Sequence, residues 1–118
     1  MKVVVIGDIG WSRLYHLGDE AMTEAAIGAL KQRGIADITL IAGQPQVAQE
    51  MYGLPTVARI GFSGKWTRPQ LEARLLAVTN ALHSQKELAE SDHARPLIKA
   101  VADCDAVLIA GGGNLNSQ

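Results

Sequence analysis

The sequence predicts an α/β fold in which a doubly wound, open, all-parallel sheet carries helices on both faces. Short apolar runs at residues 3–6, 38–42 and 106–110 lack polar alternation and are bounded by glycine or aspartate, as strands covered on both sides are. Between these runs the apolar spacing lengthens to the helical period. The alternation of strand and helix continues along the chain, and right-handed crossovers then leave a parallel sheet as the natural solution. A weaker strand at 56–60, between Pro55 and Gly61, completes the set, with an expected strand order of 3-2-1-4.

The helices follow from their ends as much as from their faces. From Asp19 to Arg33, the residues Met22, Ala25, Ala26, Ala29 and Leu30 suggest one apolar stripe. Asp19 and Glu20 there meet the positive end of the helix dipole, and Gly34 is placed to stop the helix. A shorter helix starts at Pro45, a residue suited to a first turn, and stops near Gly53. Thr67 and Gln70 stand at capping-box spacing before a third helix whose expected inner face is Leu71, Leu75, Val78 and Leu82. After Pro96, the residues Leu97, Ile98, Val101 and Ala102 suggest a last helix leading into the strand after Asp105.

At 118 residues the chain reads as one domain, without linker, repeat or low-complexity tract. Apolar residues make up 47% and charged residues 19%, which fits a globular chain with an ordinary core. Eleven basic against twelve acidic side chains leave a net charge of −1, so no global field draws nucleic acid, and any anion site must be local. Cys104 is the single cysteine and reads as a buried small hydrophobe in a reducing compartment. The apolar run after Lys2 is too short for a signal peptide or a membrane span, so a cytoplasmic protein is expected.

In doubly wound sheets ligands bind beyond the carboxyl ends of the strands, where the winding reverses, here between the first strand and the fourth. Two loops should meet there, residues 7–18 and the segment from Gly111 onward. The first is long for a strand-to-helix loop and concentrates Trp11, Arg13, Tyr15 and His16. Aromatic faces beside a cation suit a phosphorylated sugar: Trp11 packs its C–H surface and Arg13 grips an oxyanion. The plainer reading has Trp11 and Tyr15 fixing the loop to the body while Arg13 pairs with a carboxylate.

Asp19, next to Gly18 at the mouth of the crevice, is placed to hold sugar hydroxyls or to act as a base. Glu20 reads first as a first-turn acid serving the dipole. His16 is a candidate proton carrier or phosphate donor, and a solvated loop histidine on the plainer reading. Gly111, Gly112 and Gly113 let backbone approach a ligand closely, and Asn114 would cap a following helix or bind a substrate hydroxyl.

Common nucleotide signatures fail. Gly7-Asp8-Ile9-Gly10 does not match the dinucleotide fingerprint, and no acid follows the second strand at Gly43. The phosphate-loop pattern would need glycine where Arg59 stands and a hydroxyl residue where Trp66 stands. No histidine and cysteine spacing resembles a zinc site, and neither a metal nor a cofactor is expected.

Two stretches together resemble the polysaccharide pyruvyl transferase family. Leu17-Gly18-Asp19-Glu20-Ala21, about ten residues after the first strand and its Gly7, resembles that family's start. Residues 104–115, Cys104-Asp105-Ala106-Val107-Leu108-Ile109-Ala110-Gly111-Gly112-Gly113-Asn114-Leu115, resemble its strand and triple-glycine loop. The chain departs from the family pattern at Asp8, where an aromatic residue is common, and at His16, where asparagine is.

The resemblance implies the N-terminal, Rossmann-like lobe of an enzyme similar to the GT-B glycosyltransferases, one that transfers pyruvate from phosphoenolpyruvate to a sugar as a ketal. On that reading Asp8, Trp11, Arg13, His16, Gly18, Gly111, Gly112, Gly113 and Asn114 face a sugar or lipid-linked saccharide, with Asp19 as the catalytic candidate. Phosphoenolpyruvate would be held in a C-terminal lobe that residues 1–118 lack, leaving this chain an inactive fragment by itself, cytoplasmic or peripheral at the inner membrane face. Two other expectations stand beside it: a lobe of a nucleotide-sugar glycosyltransferase, and a free-standing α/β ligand-binding module without chemistry.

Overall fold

Strands β1 (Lys2–Ile6), β2 (Asp37–Ala42), β3 (Thr56–Ala58) and β4 (Ala106–Ile109) form one all-parallel sheet in the order β3-β2-β1-β4. This is the order the sequence predicts. The structure is a computed structural model that describes residues 1–7, 9, 17–60, 65–83, 88, 91–92 and 94–110. Helices α1 (Leu17–Gln32), α2 (Pro45–Tyr52), α3 (Arg68–His83) and α4 (Arg95–Asp103) connect the strands.

Alternating side chains of the inner strands divide the core into two layers. Val3, Val5, Ile38, Leu40 and Ala42 meet Ile27 of α1 and Ala48 of α2 on one face. Val4 and Ile41 meet Val78 of α3 and Leu97 and Ile98 of α4 on the other. Helices on both faces make the sheet doubly wound, and each fully buried aliphatic side chain contributes ~1.5–3 kcal/mol. β1 and β2 thus carry the largest share of the burial.

The fourth strand departs from the expectation of cover on both faces. All of β4 is exposed, with Val107 and Ile109 each 46% accessible. It lies at the sheet edge, paired on one side with β1. The third strand is shorter than residues 56–60 and leaves Arg59 and Ile60 beyond its carboxyl end.

Helix ends behave as their residues dictate. Gly34, at φ 80°, closes α1, with Ile35 N–H donating to the Leu30 carbonyl and Gly34 N–H to that of Lys31. Gly53, at φ 65°, ends α2 and donates to the Gln49 carbonyl. The Gln70 side chain accepts the Thr67 N–H at 2.8 Å, which forms that half of the expected capping box. Cys104 is half-buried rather than buried, and its thiol donates to the Val101 carbonyl at 3.1 Å.

α1 is rotated from its expected face, and α3 keeps its face at Leu71, Val78 and Leu82 but departs from it at Leu75. In α1 the buried residues are Glu20, Thr23 and Ile27, while Met22 and Ala25 face outward. The helix also begins at Leu17, before the expected Asp19, so Gly18 belongs to its first turn. In α3 Leu75 is exposed and Arg74 turns inward in its place. Arg74 is held there by a two-pronged pair with Asp92, at 2.6 and 2.9 Å, and also donates to the Ile60 carbonyl at 3.2 Å. Ala102 of α4 is likewise exposed, while Leu97 and Ile98 are buried.

The rotation of α1 is testable by truncation. Ile27→Ala should cost about 2–5 kcal/mol in denaturant unfolding, whereas Met22→Ala should stay within about 0.5 kcal/mol of the parent. The reverse ranking would restore the expected stripe.

Candidate functional site

The winding reverses at β1, whose neighbours are β2 on one side and β4 on the other. The two strands leave the sheet side by side: Ile6 pairs in register with Ile109, and Ala110 N–H donates to the Ile6 carbonyl at 2.8 Å. Gly7 and Ala110 are therefore adjacent exits at the carboxyl edge. The segment leading to Leu17-Gly18-Asp19 departs from the first, and the triple-glycine segment departs from the second.

Gly7 is forced by its neighbours. A Cβ there would stand 2.6 Å from Thr23 Oγ1 and 3.2 Å from Ile9 Cγ2, so a side chain at position 7 would force these neighbours to shift. Thr23 is fully buried at this contact, and its hydroxyl has no hydrogen-bond partner among the described residues. Gly18 differs: among the described residues a Cβ there would meet nothing within 4 Å. Its neighbour Asp19 is half-buried.

Glu20 turns inward from the first turn of α1 and is only 5% exposed. The hydroxyl of Tyr52, the last residue of α2, donates to the Glu20 carboxylate and also lies 3.4 Å from the Glu20 main-chain carbonyl. The Tyr52 hydroxyl is held well above the ordinary tyrosine range, chiefly by burial, then by its bond to Glu20 and the charges of Glu20 and Glu24. Across the end of β2, Arg59 reaches from β3 to donate to the Gly7 carbonyl at 3.4 Å. The carboxyl edge thus gathers a guanidinium, two first-turn carboxylates and a phenol around the exit of β1.

Gly18 and Asp19 are brought to this edge. Asp8, Trp11, Arg13, His16, Gly111, Gly112, Gly113 and Asn114 lie outside the described residues, as does Tyr15. Trp66 is half-buried in the connection between β3 and α3. Sequence reasoning missed Thr23, Tyr52 and Arg59, and gave Glu20 only a dipole role. The polar residues at α1 positions three apart, Glu20 and Thr23, were the available signal.

The arrangement can accept hydrogen bonds from hydroxyls through the Asp19 carboxylate and adds the positive charge of Arg59. Among the described residues no cluster of three or more His, Cys, Asp or Glu is placed to hold a metal ion, and no helix is long and apolar enough to cross a membrane. A cavity of ≈ 300 Å³, lined by Thr39, Val57, Lys99 and Cys104 among others, lies at the opposite, amino edge of the sheet. Doubly wound sheets bind their ligands at the carboxyl edge, so the site is placed there.

Gly7→Ala should cost about 1–3 kcal/mol in chemical unfolding, and Thr23→Val should match or exceed the parent, because it removes an unpartnered buried hydroxyl at nearly constant volume. Tyr52 supplies a pH prediction. The folded state holds its proton more tightly than the unfolded chain does, so this stabilisation is complete below about pH 10 and is lost as pH rises further. Unfolding between about pH 9 and 11 should show this loss in the parent and lack that component in Tyr52→Phe.

Compared with protein-family models, with curated proteins and with solved structures, the chain matches none.

Proposed function

We propose that this chain is the acceptor-sugar-facing lobe of a polysaccharide pyruvyl transferase-like enzyme. The observation that carries the reading is the adjacency of Gly7 and Ala110. The strands that precede Leu17-Gly18-Asp19 and the triple-glycine segment in the chain end side by side, at the edge where doubly wound sheets hold ligands. Gly18 also supports it: neither a left-handed backbone nor a close contact among the described residues requires glycine there, whereas an approaching ligand would.

Ketal formation joins two sugar hydroxyls to C2 of phosphoenolpyruvate. One adds across the double bond, with a proton delivered to C3, and the other displaces phosphate, its proton leaving with a base or the phosphate. Asp19 is suited to accept a hydroxyl proton and to orient the diol, with Asp8, Trp11, Arg13, His16 and Asn114 contributing contacts to the saccharide. Arg59 adds positive charge at the same edge, where a sugar phosphate or the departing phosphate would gain from it. On this reading a second lobe facing this edge brings phosphoenolpyruvate, and a lipid-linked acceptor would bring the protein to a membrane surface.

The test is the intact gene product incubated with phosphoenolpyruvate and a panel of saccharides, with phosphate release and the ketal methyl group followed by NMR. Transfer is expected there and none from residues 1–118 alone. Asp19→Asn in the intact protein should lower kcat by about 10²-fold or more. Unchanged activity would leave Asp19 its dipole role only. Sugar transfer from a nucleotide sugar, with none of pyruvate, would replace this reading by the glycosyltransferase one.

A further inference from the structure

We propose that Tyr52 and Glu20 are positioning residues for the site: the Tyr52 hydroxyl, held against both the carboxylate and the main-chain carbonyl of Glu20, sets the first turn of α1, and with it Gly18 and Asp19, against the ends of β1 and β4. The inference rests on the role given above to Asp19.

The first turn of a helix is its least secured part, because its leading N–H groups have no intrahelical partner. In α1 the deep contacts with the sheet begin at Thr23 and continue through Ile27. Before Thr23, residues 17–22 contain one buried side chain, and it is Glu20. Leu17, which has the apolar surface for anchoring, is instead 66% exposed. Among the described contacts, the turn that carries Gly18 and Asp19 is tied to the body through Glu20, and Glu20 to Tyr52 from 32 residues away.

A carboxylate is a poor choice if stability alone is at stake. Burying it incurs desolvation that a leucine at the same position would avoid, and hydrogen bonding only partly offsets this. What the pair supplies is directionality: an apolar contact tolerates sliding, whereas the Tyr52 O–H donated to the Glu20 carboxylate fixes the distance and approach of the residue that carries it. Placement at this scale matters for transfer chemistry, where an error of about 1 Å in a reacting group costs up to about 10²-fold in rate.

Tyr52→Phe removes the hydroxyl and keeps the ring that packs on the core. Amide hydrogen exchange on the 118-residue chain should show protection of residues 21–24 falling about tenfold, with residues 27–30 unchanged. A uniform fall across α1, or no change, would overturn the proposal, since a purely stabilising contact lowers protection throughout the helix. In the intact gene product, at a temperature where the variant is fully folded, kcat/KM for the acceptor should fall about tenfold or more while KM for phosphoenolpyruvate holds. An unchanged kcat/KM for the acceptor would also overturn it. If the parent shows no pyruvyl transfer, the functional reading fails by itself, and the exchange pattern still decides whether the pair sets the turn.

Discussion

The depth at which α1 lies on the sheet is set where Thr23 meets Gly7, a contact that leaves no room for a side chain on the strand exit. That contact holds the helix to the strand exit at Thr23, while its first turn depends on Glu20. The layer formed by Val3, Val5, Leu40 and Ile27 can close only when the helix approaches this closely, because interior packing forfeits dispersion steeply with small gaps. The same contact leaves a buried hydroxyl without a partner, a local cost accepted at the end of the strand around which the site is arranged.

Much of the architecture was legible in the sequence because its determinants are local. The run at residues 3–6 has no polar member and that at 38–42 has Thr39 alone, and Val3, Val4, Val5, Ile38, Leu40, Ile41 and Ala42 are buried. Gly34, Pro45 and the Thr67 and Gln70 pair mark helix ends through interactions that span only a few residues. The face of α1 and the exposure of Leu75 on α3 were not legible, because Glu20 and Arg74 turn inward to distant partners. Glu20 finds Tyr52 across 32 residues, and Arg74 finds Asp92 across 18. A reading that places apolar residues inside turns α1 by about one position, onto Met22, and puts Leu75 of α3 where Arg74 lies.

The candidate site was legible to the same extent. Its location follows from the strand order, and Gly18 and Asp19 follow from their place at the start of α1. Tyr52 and Arg59 were hidden because each lies at the end of an element that looks ordinary by itself, one closing a short helix and one following a short strand. Only the fold brings them to the exit of β1. A chain with nearly balanced charge can in this way present a local cation beside local carboxylates without any run of like charge in its sequence.

The pairing of β1 with β4 also bears on how the molecule is made. Lys2 N–H donates to the Asp105 carboxylate at 2.7 Å, joining residues 103 positions apart, and the whole β1–β4 register shares that separation. The strand synthesised first thus acquires one of its two neighbours only after everything between has been translated. Contacts of such high order slow folding, since loop closure precedes any reward from pairing. Until β4 arrives, the nascent chain has β1 as the open edge of a three-stranded sheet, a surface on which wrong partners compete with the right one.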